Sequence, residues 1–196
     1  MAAGAGLRAT PRGREMAPLV WPLVPFWAKG DLPKYSTANC RAEAGVPFPQ
    51  TVAKKPSFRG AWKRGRRCLV PFSYFFEWDQ RTKPKQPWRI YRAEVPMFVM
   101  AGLWDSSPVP ENDVIESCTI VTTEPNSQLK RIGHHRAPVL LPPAAWDTWL
   151  TGDSDQAASL LVPPPDDVMR AHPVTAKVNP GYQGEDLLEP IEPGNV

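Results

Sequence analysis

The sequence has few cysteines and no long hydrophobic run, and each absence excludes a class of protein. Its 196 residues include 3 cysteines, Cys40, Cys68 and Cys118, which are widely separated and lack metal-ligand spacing. An odd, scattered set supports neither a disulfide framework nor a zinc site. No apolar run approaches the length that crosses a bilayer, and the first residues lack the hydrophobic core of a secretion signal. We expect a cytoplasmic protein that binds no membrane, metal or cofactor.

The net charge is also small, because 23 lysines and arginines nearly balance 20 acidic residues and leave a formal net charge of +3. A value this small does not by itself identify a polyanionic partner. The chain also has no internal repeat and no glycine-rich phosphate loop. Its basic residues are nevertheless uneven, and one short window holds Lys54, Lys55, Arg59, Lys63, Arg64, Arg66 and Arg67. This basic window suits phosphates, although a solvated helix face has the same composition.

The abundant residues indicate a folded domain. Hydrophobic residues make up 42% of the chain, enough for one domain with a real core. The 25 prolines would suggest disorder in a chain poor in aromatics, but 8 tryptophans and 7 phenylalanines argue against it. We predict a compact, loop-rich fold in which proline fixes many turns and strand ends.

The first segments of the chain are weakly patterned. Residues 1–12 are small and basic without periodicity, and are predicted to be a tail or a truncated start. The run Met16–Trp27 has too many prolines for a helix and is predicted as edge strand and loop. Phe26 and Trp27, followed by Lys29, either stack on bases beside a cation or belong to the core.

A polar hexapeptide follows at residues 38–43. In an extended strand Asn39, Arg41 and Glu43 lie on one face, while Cys40 and Ala42 lie on the other. The polar face is either a candidate site or the solvated side of a half-buried strand.

The middle of the chain places a carboxylate among aromatic residues. Ser57 is predicted to cap a helix whose Phe58, Ala61 and Trp62 share one face. The stretch Arg67–Trp78 is predicted to be rich in strand, with Glu77 opposite an aromatic side.

Two roles are open for Glu77. Burial would raise the pKa of Glu77 and suit it to proton exchange near neutral pH. Alternatively, Glu77 forms a structural ion pair with an arginine such as Arg41 or Arg89.

The remaining chain contains further strands, short helices and two histidines. His134 and His135 lie in a polar turn before an apolar strand, and one of them could act as acid or base. We predict strands at Pro87–Arg92, Met97–Leu103 and Val114–Thr123, a short helical turn or loop at Gln128–Ile132, helices at Pro142–Leu150 and Asp155–Leu161, and a strand near His172–Val174.

Several short motifs occur together in a characteristic order. They are Asn39–Glu43, Arg67–Pro71, Phe76–Trp78, Thr122–Glu124, His134–Pro138 and His172–Val174. In this order and spacing the chain resembles the SOS-response-associated peptidase (SRAP) family, which processes abasic sites in DNA.

The resemblance runs from about Gly13 to Ile191 and implies a fold. That fold is one α+β domain over residues 13–191, with a curved, barrel-like, mostly antiparallel sheet and a few flanking helices. The domain would be N-terminally truncated and followed by a tail at 192–196. A positively charged groove would bind single-stranded DNA, and we expect a monomer.

The resemblance also implies a chemistry. In the family, removal of the initiator Met exposes an N-terminal cysteine, whose amine and thiol condense with the aldehyde of an abasic site to give a thiazolidine crosslink. The same cysteine is thought to release leader residues by autoproteolysis, so the family is classed as lyase or peptidase.

The family's functional residues can be matched to positions in this chain. Glu77 would be the active-site glutamate, His134 the histidine that assists sugar opening, and Asn39 the group that orients amine or sugar. Contacts to DNA would come from Arg41, Arg136, Lys55, Phe26 and Trp27.

One departure from the family pattern affects the enzymatic prediction. No Met-Cys-Gly-Arg start is present, and residue 2 is Ala2. Either the start codon was assigned too far downstream, or this is a truncated copy that binds DNA without crosslinking. A conventional cysteine protease is a third hypothesis, but no cysteine is predicted beside His134.

Overall fold

The computed structural model describes residues 2–92, 94–178 and 184–192. The described residues form two compact units. The first unit takes residues from 1–71, 99–124 and 138–163, and the second from 72–98, 125–137 and 164–196. Each unit contains its own β-sheet and short helices, so the predicted α+β class is confirmed.

The larger sheet has seven strands. They are β1 (Ala2–Thr10), β2 (Gly13–Trp21), β3 (Asn39–Arg41), β4 (Arg67–Phe72), β7 (Phe98–Pro108), β8 (Val114–Thr123) and β9 (Ala137–Pro138). The order is β2-β1-β4-β7-β8-β3, and an additional pairing of β2 with β8 closes five of the strands into a barrel. The barrel is mixed, because β1–β2, β1–β4 and β7–β8 are antiparallel whereas β2–β8 is parallel.

The first strand corrects one prediction. Residues 2–10 are not a tail but pair along their whole length with β2, from Ala2 opposite Trp21 to Thr10 opposite Gly13. This strand lacks the alternation of hydrophobic and polar residues because it consists largely of glycine and alanine, which leave room for the side chains of β2. A Cβ on Gly6 would lie 2.6 Å from Cδ1 of Leu19, so a larger residue there would clash with the buried β2 side chain.

Helices of the first unit cover an aromatic core. They are α1 (Phe48–Ala53), α2 (Pro56–Lys63), α4 (Trp146–Thr151) and α5 (Ser154–Ser159). Phe48 meets the ring of Trp62 edge-on at 4.8 Å between centroids, and Trp62 lies 6.2 Å from Trp149. The indole N–H of Trp149 donates to the carbonyl of Cys68 at 2.9 Å, which ties α4 to β4.

The second unit is smaller. Its three-stranded antiparallel sheet has the order β10-β6-β5, formed by β5 (Tyr74–Trp78), β6 (Pro87–Tyr91) and β10 (Arg170–Pro173). The helix α3 (Ser127–Arg131) also belongs to this unit. No helix in the described residues is long and apolar enough to cross a membrane.

The structure refines one local prediction and corrects another. The stretch Arg67–Trp78, predicted to be rich in strand, forms two strands separated at exposed Ser73, and β4 belongs to the large sheet whereas β5 belongs to the small one. Helix α2 begins at Pro56 with Lys55 at its N-cap, so the predicted Ser57 cap is wrong. Pro56 suits the first helical position because it has no N–H that needs a partner there. The predicted core face of α2 is confirmed, as Phe58, Ala61 and Trp62 are buried.

Candidate active site

His134 is positioned by the end of helix α3. The N–H of Gly133 donates to the carbonyl of Lys130 at 3.0 Å, and the N–H of His134 donates to that of Leu129 at 2.9 Å. This is the hydrogen-bond pattern of a Schellman C-cap, which needs a residue with positive φ. Gly133 provides it with a φ of 70°. The cap therefore fixes the backbone from which the imidazole of His134 extends.

Glu77 is positioned by the small sheet. It lies on β5 and faces Trp88 of β6 in the antiparallel register. Strand β5 ends at Trp78 and is followed by Asp79, whose carboxylate accepts hydrogen bonds from the guanidinium of Arg81 at 2.9 and 2.8 Å. These bonds lower the pKa of Asp79 and hold the turn beyond the strand. The side chain of Glu77 is half-buried, with 29% of its area exposed.

Glu77 and His134 form the acid–base pair of the second unit. Oε2 of Glu77 lies 2.6 Å from Nε2 of His134, and the other ring nitrogen, Nδ1, lies 3.3 Å from the carbonyl oxygen of Arg136. The hydrogen bond with Glu77 is the largest cause of a raised pKa of His134, and burial opposes it. The contact with Glu77 therefore favours the protonated form of the imidazole.

The partner that the structure gives Glu77 is His134, whereas the sequence left an ion pair with an arginine such as Arg41 or Arg89 as one of two possibilities. The guanidinium of Arg89 instead lies over the rings of Tyr74 and Tyr91, at 5.0 and 4.7 Å. Its Nη1 donates to the carbonyl of Leu188 at 3.2 Å. Arg41 belongs to the first unit.

The first unit carries five of the other predicted site residues, and three of them lie on or beside β3. On β3, Asn39 and Arg41 are exposed and Cys40 is buried, so the predicted alternation is confirmed. Nζ of Lys55 donates to the carbonyl of Arg41 at 2.6 Å and lies 3.6 Å from Oε1 of Glu43. Asn39, Arg41 and Lys55 therefore form one polar cluster around β3. Arg136 belongs to the second unit and is half-buried.

Phe26 and Trp27 lie in a loop at residues 24–30, the aromatic loop. Both rings are partly exposed, at 47% and 44%, rather than core residues. Trp27 donates its indole N–H to the carbonyl of Pro56 at 3.3 Å. The guanidinium of Arg64 lies 5.0 Å from the centroid of the Phe26 ring. An exposed aromatic ring beside a cation is a surface on which a base can stack.

Three buried side chains on barrel strands hold the aromatic loop. The carboxylate of Asp105 accepts from the N–H of Phe26 at 3.1 Å, and the hydroxyls of Ser107 and Ser117 accept from the N–H groups of Gly30 and Val24 at 3.0 and 2.7 Å. These three acceptors are at most 1% exposed. These three residues were not predicted from the sequence, although Asp105 could have been noticed as an acid within the apolar run of β7, where a buried charge needs partners.

The three cysteines lie in the first unit and are all buried. Burial raises the pKa of Cys68 well above its usual value and that of Cys118 to about 11. A thiol must be accessible and ionised to act as a nucleophile, so these positions do not suit that role. Within the described residues, no group of three or more His, Cys, Asp or Glu side chains could hold a metal ion.

Comparison with known proteins places these features in a family. A sequence model described as "SOS response associated peptidase (SRAP)" matches residues 4–180. The abasic site processing protein YoqW of Bacillus subtilis (strain 168) is 36% identical over 180 residues, covering 89% of this chain and 76% of that protein. The abasic site processing protein HMCES of Pongo abelii is 32% identical over 91% of this chain and 58% of that protein.

A solved structure shares the fold. A crystal structure of a Bordetella bronchiseptica protein superposes with a TM-score of 0.73 at 29% identity, covering 88% of this chain and 84% of that one. The matched region begins at residue 4, within β1, which agrees with the structural role of that strand. By sequence and by fold, this chain belongs to the SRAP family.

Proposed function

We propose that this protein processes abasic sites in single-stranded DNA, and that the acid–base pair transfers the protons of that reaction. The observation that carries the proposal is the 2.6 Å contact between Glu77 and His134 in a chain of the SRAP family. The similarity to relatives named abasic site processing proteins supports the substrate. An abasic sugar must open to an aldehyde before it reacts, and this step needs a group that both accepts and donates a proton.

The covalent step is proposed from the resemblance. An amine would condense with the aldehyde to give an imine and water, and a thiol would add to the imine carbon to close a thiazolidine. The amine and thiol would belong to an N-terminal cysteine, since Cys40, Cys68 and Cys118 are buried. His134 would protonate the departing oxygen, and Glu77 would stabilise the imidazolium.

The proposal extends to DNA contacts and setting. Asn39 would orient the sugar, Arg41, Lys55 and Arg136 would contact phosphates, and the aromatic loop would stack beside the lesion. The protein would act as a cytoplasmic monomer in the response to DNA damage, associating with the nucleoid when bound to DNA. Autoproteolysis of leader residues, and thus a peptidase activity beside the lyase-type chemistry, would use the same cysteine.

A second candidate is a protein of the same fold that binds single-stranded DNA without reacting. The specific observation in its favour is that all three thiols of this chain are buried. It predicts the same affinity for DNA but no covalent product.

Binding to a single strand with one abasic site tests the substrate. We expect salt-dependent binding that is tighter than to the intact strand of the same sequence. Equal affinity for the two strands would contradict the proposed substrate.

Denaturing gels separate the two candidates. The chain as written should give no denaturant-stable adduct, whereas a version preceded by a segment that begins with cysteine should form one with the abasic strand. If the cysteine-initiated version binds abasic DNA and forms no adduct, the non-reacting candidate is favoured.

A further inference from the structure

The structure divides the basic window of residues 54–67 into two groups. Arg64 and Arg66 both donate to the buried carboxylate of Asp105. Arg67 is buried and donates to the carbonyls of Trp149 and Gly152, at the end of α4. These three arginines serve internal contacts, and Lys55 donates to the carbonyl of Arg41 beside β3.

The other group has no acid partner within the part of the chain that is described. It consists of Lys54, Arg59 and Lys63, all exposed. Arg59 and Lys63 are four residues apart on α2, so both project from the same face of the helix. Their charges are available to a partner molecule, because no ion pair neutralises them in the described structure.

A cavity of about 400 Å³ lies at this face of α2. Arg59 and Lys63 line it together with Arg67, and its apolar wall includes Val52, Ala53 and Trp62. None of the residues lining the cavity is acidic. Burial lowers the pKa of Arg67, and the negative charge of Asp153 opposes this effect.

Asp153 is already engaged in the protein. Its carboxylate accepts the N–H groups of Asp155 and Gln156 at 2.9 and 2.8 Å as the cap of α5. Its charge is therefore partly satisfied locally, and the cavity retains an excess of positive charge. We call this the cationic cavity.

We propose that the cationic cavity binds a nucleotide of a single nucleic-acid strand, with a backbone phosphate held by Arg59 and Lys63. This deepens the proposed function, on which it rests, by adding a contact that does not involve the lesion. A volume of about 400 Å³ falls within the range of small-molecule sites. A phosphate between two cations and a sugar or base against Ala53 would satisfy both the charged and the apolar parts of the wall.

The salt dependence of binding tests this contact. The double variant Arg59→Ser/Lys63→Ser is compared with a control that removes two exposed cations elsewhere, Arg12→Ser/Lys83→Ser. Both changes lower the net charge equally, and both replace exposed side chains, so equal melting temperatures should confirm that they fold. The probes are an intact single strand of about 16 nucleotides and the same strand with one abasic site.

We expect the cavity variant to reduce the slope of log K against log salt by about 0.7, because the proposed contact holds one phosphate and each phosphate contact on a single strand contributes about 0.7. The slope should decrease by the same amount for the two strands. The charge-preserving swap Arg59→Lys/Lys63→Arg should keep the parental slope. The control should keep the parental slope.

Equal slopes for the cavity variant and the control would overturn the cavity contact. If the parent protein fails to prefer the abasic strand while the slope still drops, the proposed function fails and the cavity contact stands.

Discussion

Two side chains from different segments of the second unit make the acid–base pair. Glu77 and His134 are 57 positions apart in the sequence, yet strand β5 and the cap of α3 bring them to 2.6 Å. The sequence suggested a proton-exchanging carboxyl group and a separate titrating histidine. It could not show their contact, because a carboxylate in an aromatic strand pairs equally well with an arginine, and Arg89 was available. The residue types were predictable, whereas the pairing depended on the tertiary structure.

The titration of His134 provides the first prediction. In Glu77→Gln the pKa of His134 should fall towards its ordinary value of 6.5, because the carboxylate that raises it is gone. The measurement is an NMR titration of the imidazole in both proteins. An unchanged pKa of His134 would contradict the pairing.

The same pair has a pH-dependent effect on stability. A pKa raised in the folded state means that the native protein binds the proton more tightly. The stabilisation is therefore complete below about 6.5, the ordinary pKa, and is lost as pH rises through the raised folded pKa. Glu77→Gln should lower the free energy of unfolding by about 1–2 kcal/mol at mildly acid pH and by less at alkaline pH. Urea unfolding at several pH values checks this, with His135→Ala as the control.

The cap of helix α3 and the register of strand β5 determine where His134 and Glu77 lie. A short helical turn or a loop was predicted at Gln128–Ile132, and the structure has a helix there, because α3 occupies Ser127–Arg131. The prediction of a tail at residues 1–12 was wrong because residues 2–10 form β1. Glycine and alanine in β1 leave room for the larger side chains of β2, and a strand of such small residues shows no hydrophobic periodicity. The aromatic alternation after Arg67 could be recognised in the sequence. The division of this stretch between two sheets at Ser73 could not, because it depends on which strands pair.

Gly133→Ala tests the cap of α3. A Cβ at φ 70° is strained, and it would also lie 3.1 Å from Cγ of Arg81. We expect a loss of about 1–2 kcal/mol in the free energy of unfolding, together with a fall in the pKa of His134 as the imidazole moves from Glu77. Gly45→Ala is a suitable control, because Gly45 also has a positive φ but has nothing within 4 Å of an added Cβ. A normal His134 titration in Gly133→Ala would show that the cap does not set the contact.

Asp105→Asn tests the anchoring of the aromatic loop. The change removes the negative charge between Arg64 and Arg66 and weakens acceptance from the N–H of Phe26. We expect a loss of about 3 kcal/mol, as is typical when one partner of a buried ion pair is removed. Ser107→Ala, which removes only the acceptor for Gly30, should lose about 1 kcal/mol.

Loop mobility gives an independent readout of the same anchor. In a background variant that keeps Trp27 as its main exposed tryptophan, adding Asp105→Asn should increase the quenching of tryptophan fluorescence by acrylamide. Stability and quenching equal to the parent would mean that the aromatic loop is held by other contacts.

The whole molecule combines a closed mixed barrel in one unit with a small sheet that carries the acid–base pair in the other. The barrel-like α+β fold was predictable through the resemblance, because many short motifs occur in one order. The distribution of charge was not: the basic window looks uniform in the sequence, but the structure assigns Arg64, Arg66 and Arg67 to internal contacts. Only tertiary contacts distinguish a structural cation from one available to a nucleic acid.

If the acid–base pair transfers protons during reaction at an abasic site, the rate of that reaction depends on both Glu77 and His134. The most direct test is the rate of denaturant-stable adduct formation between abasic single-stranded DNA and a version of the protein that begins with cysteine. Glu77→Gln and His134→Ala should each lower this rate by about 10²-fold or more, with little change in affinity for the strand, while His135→Ala should react like the parent. Parental rates in both variants would contradict the account.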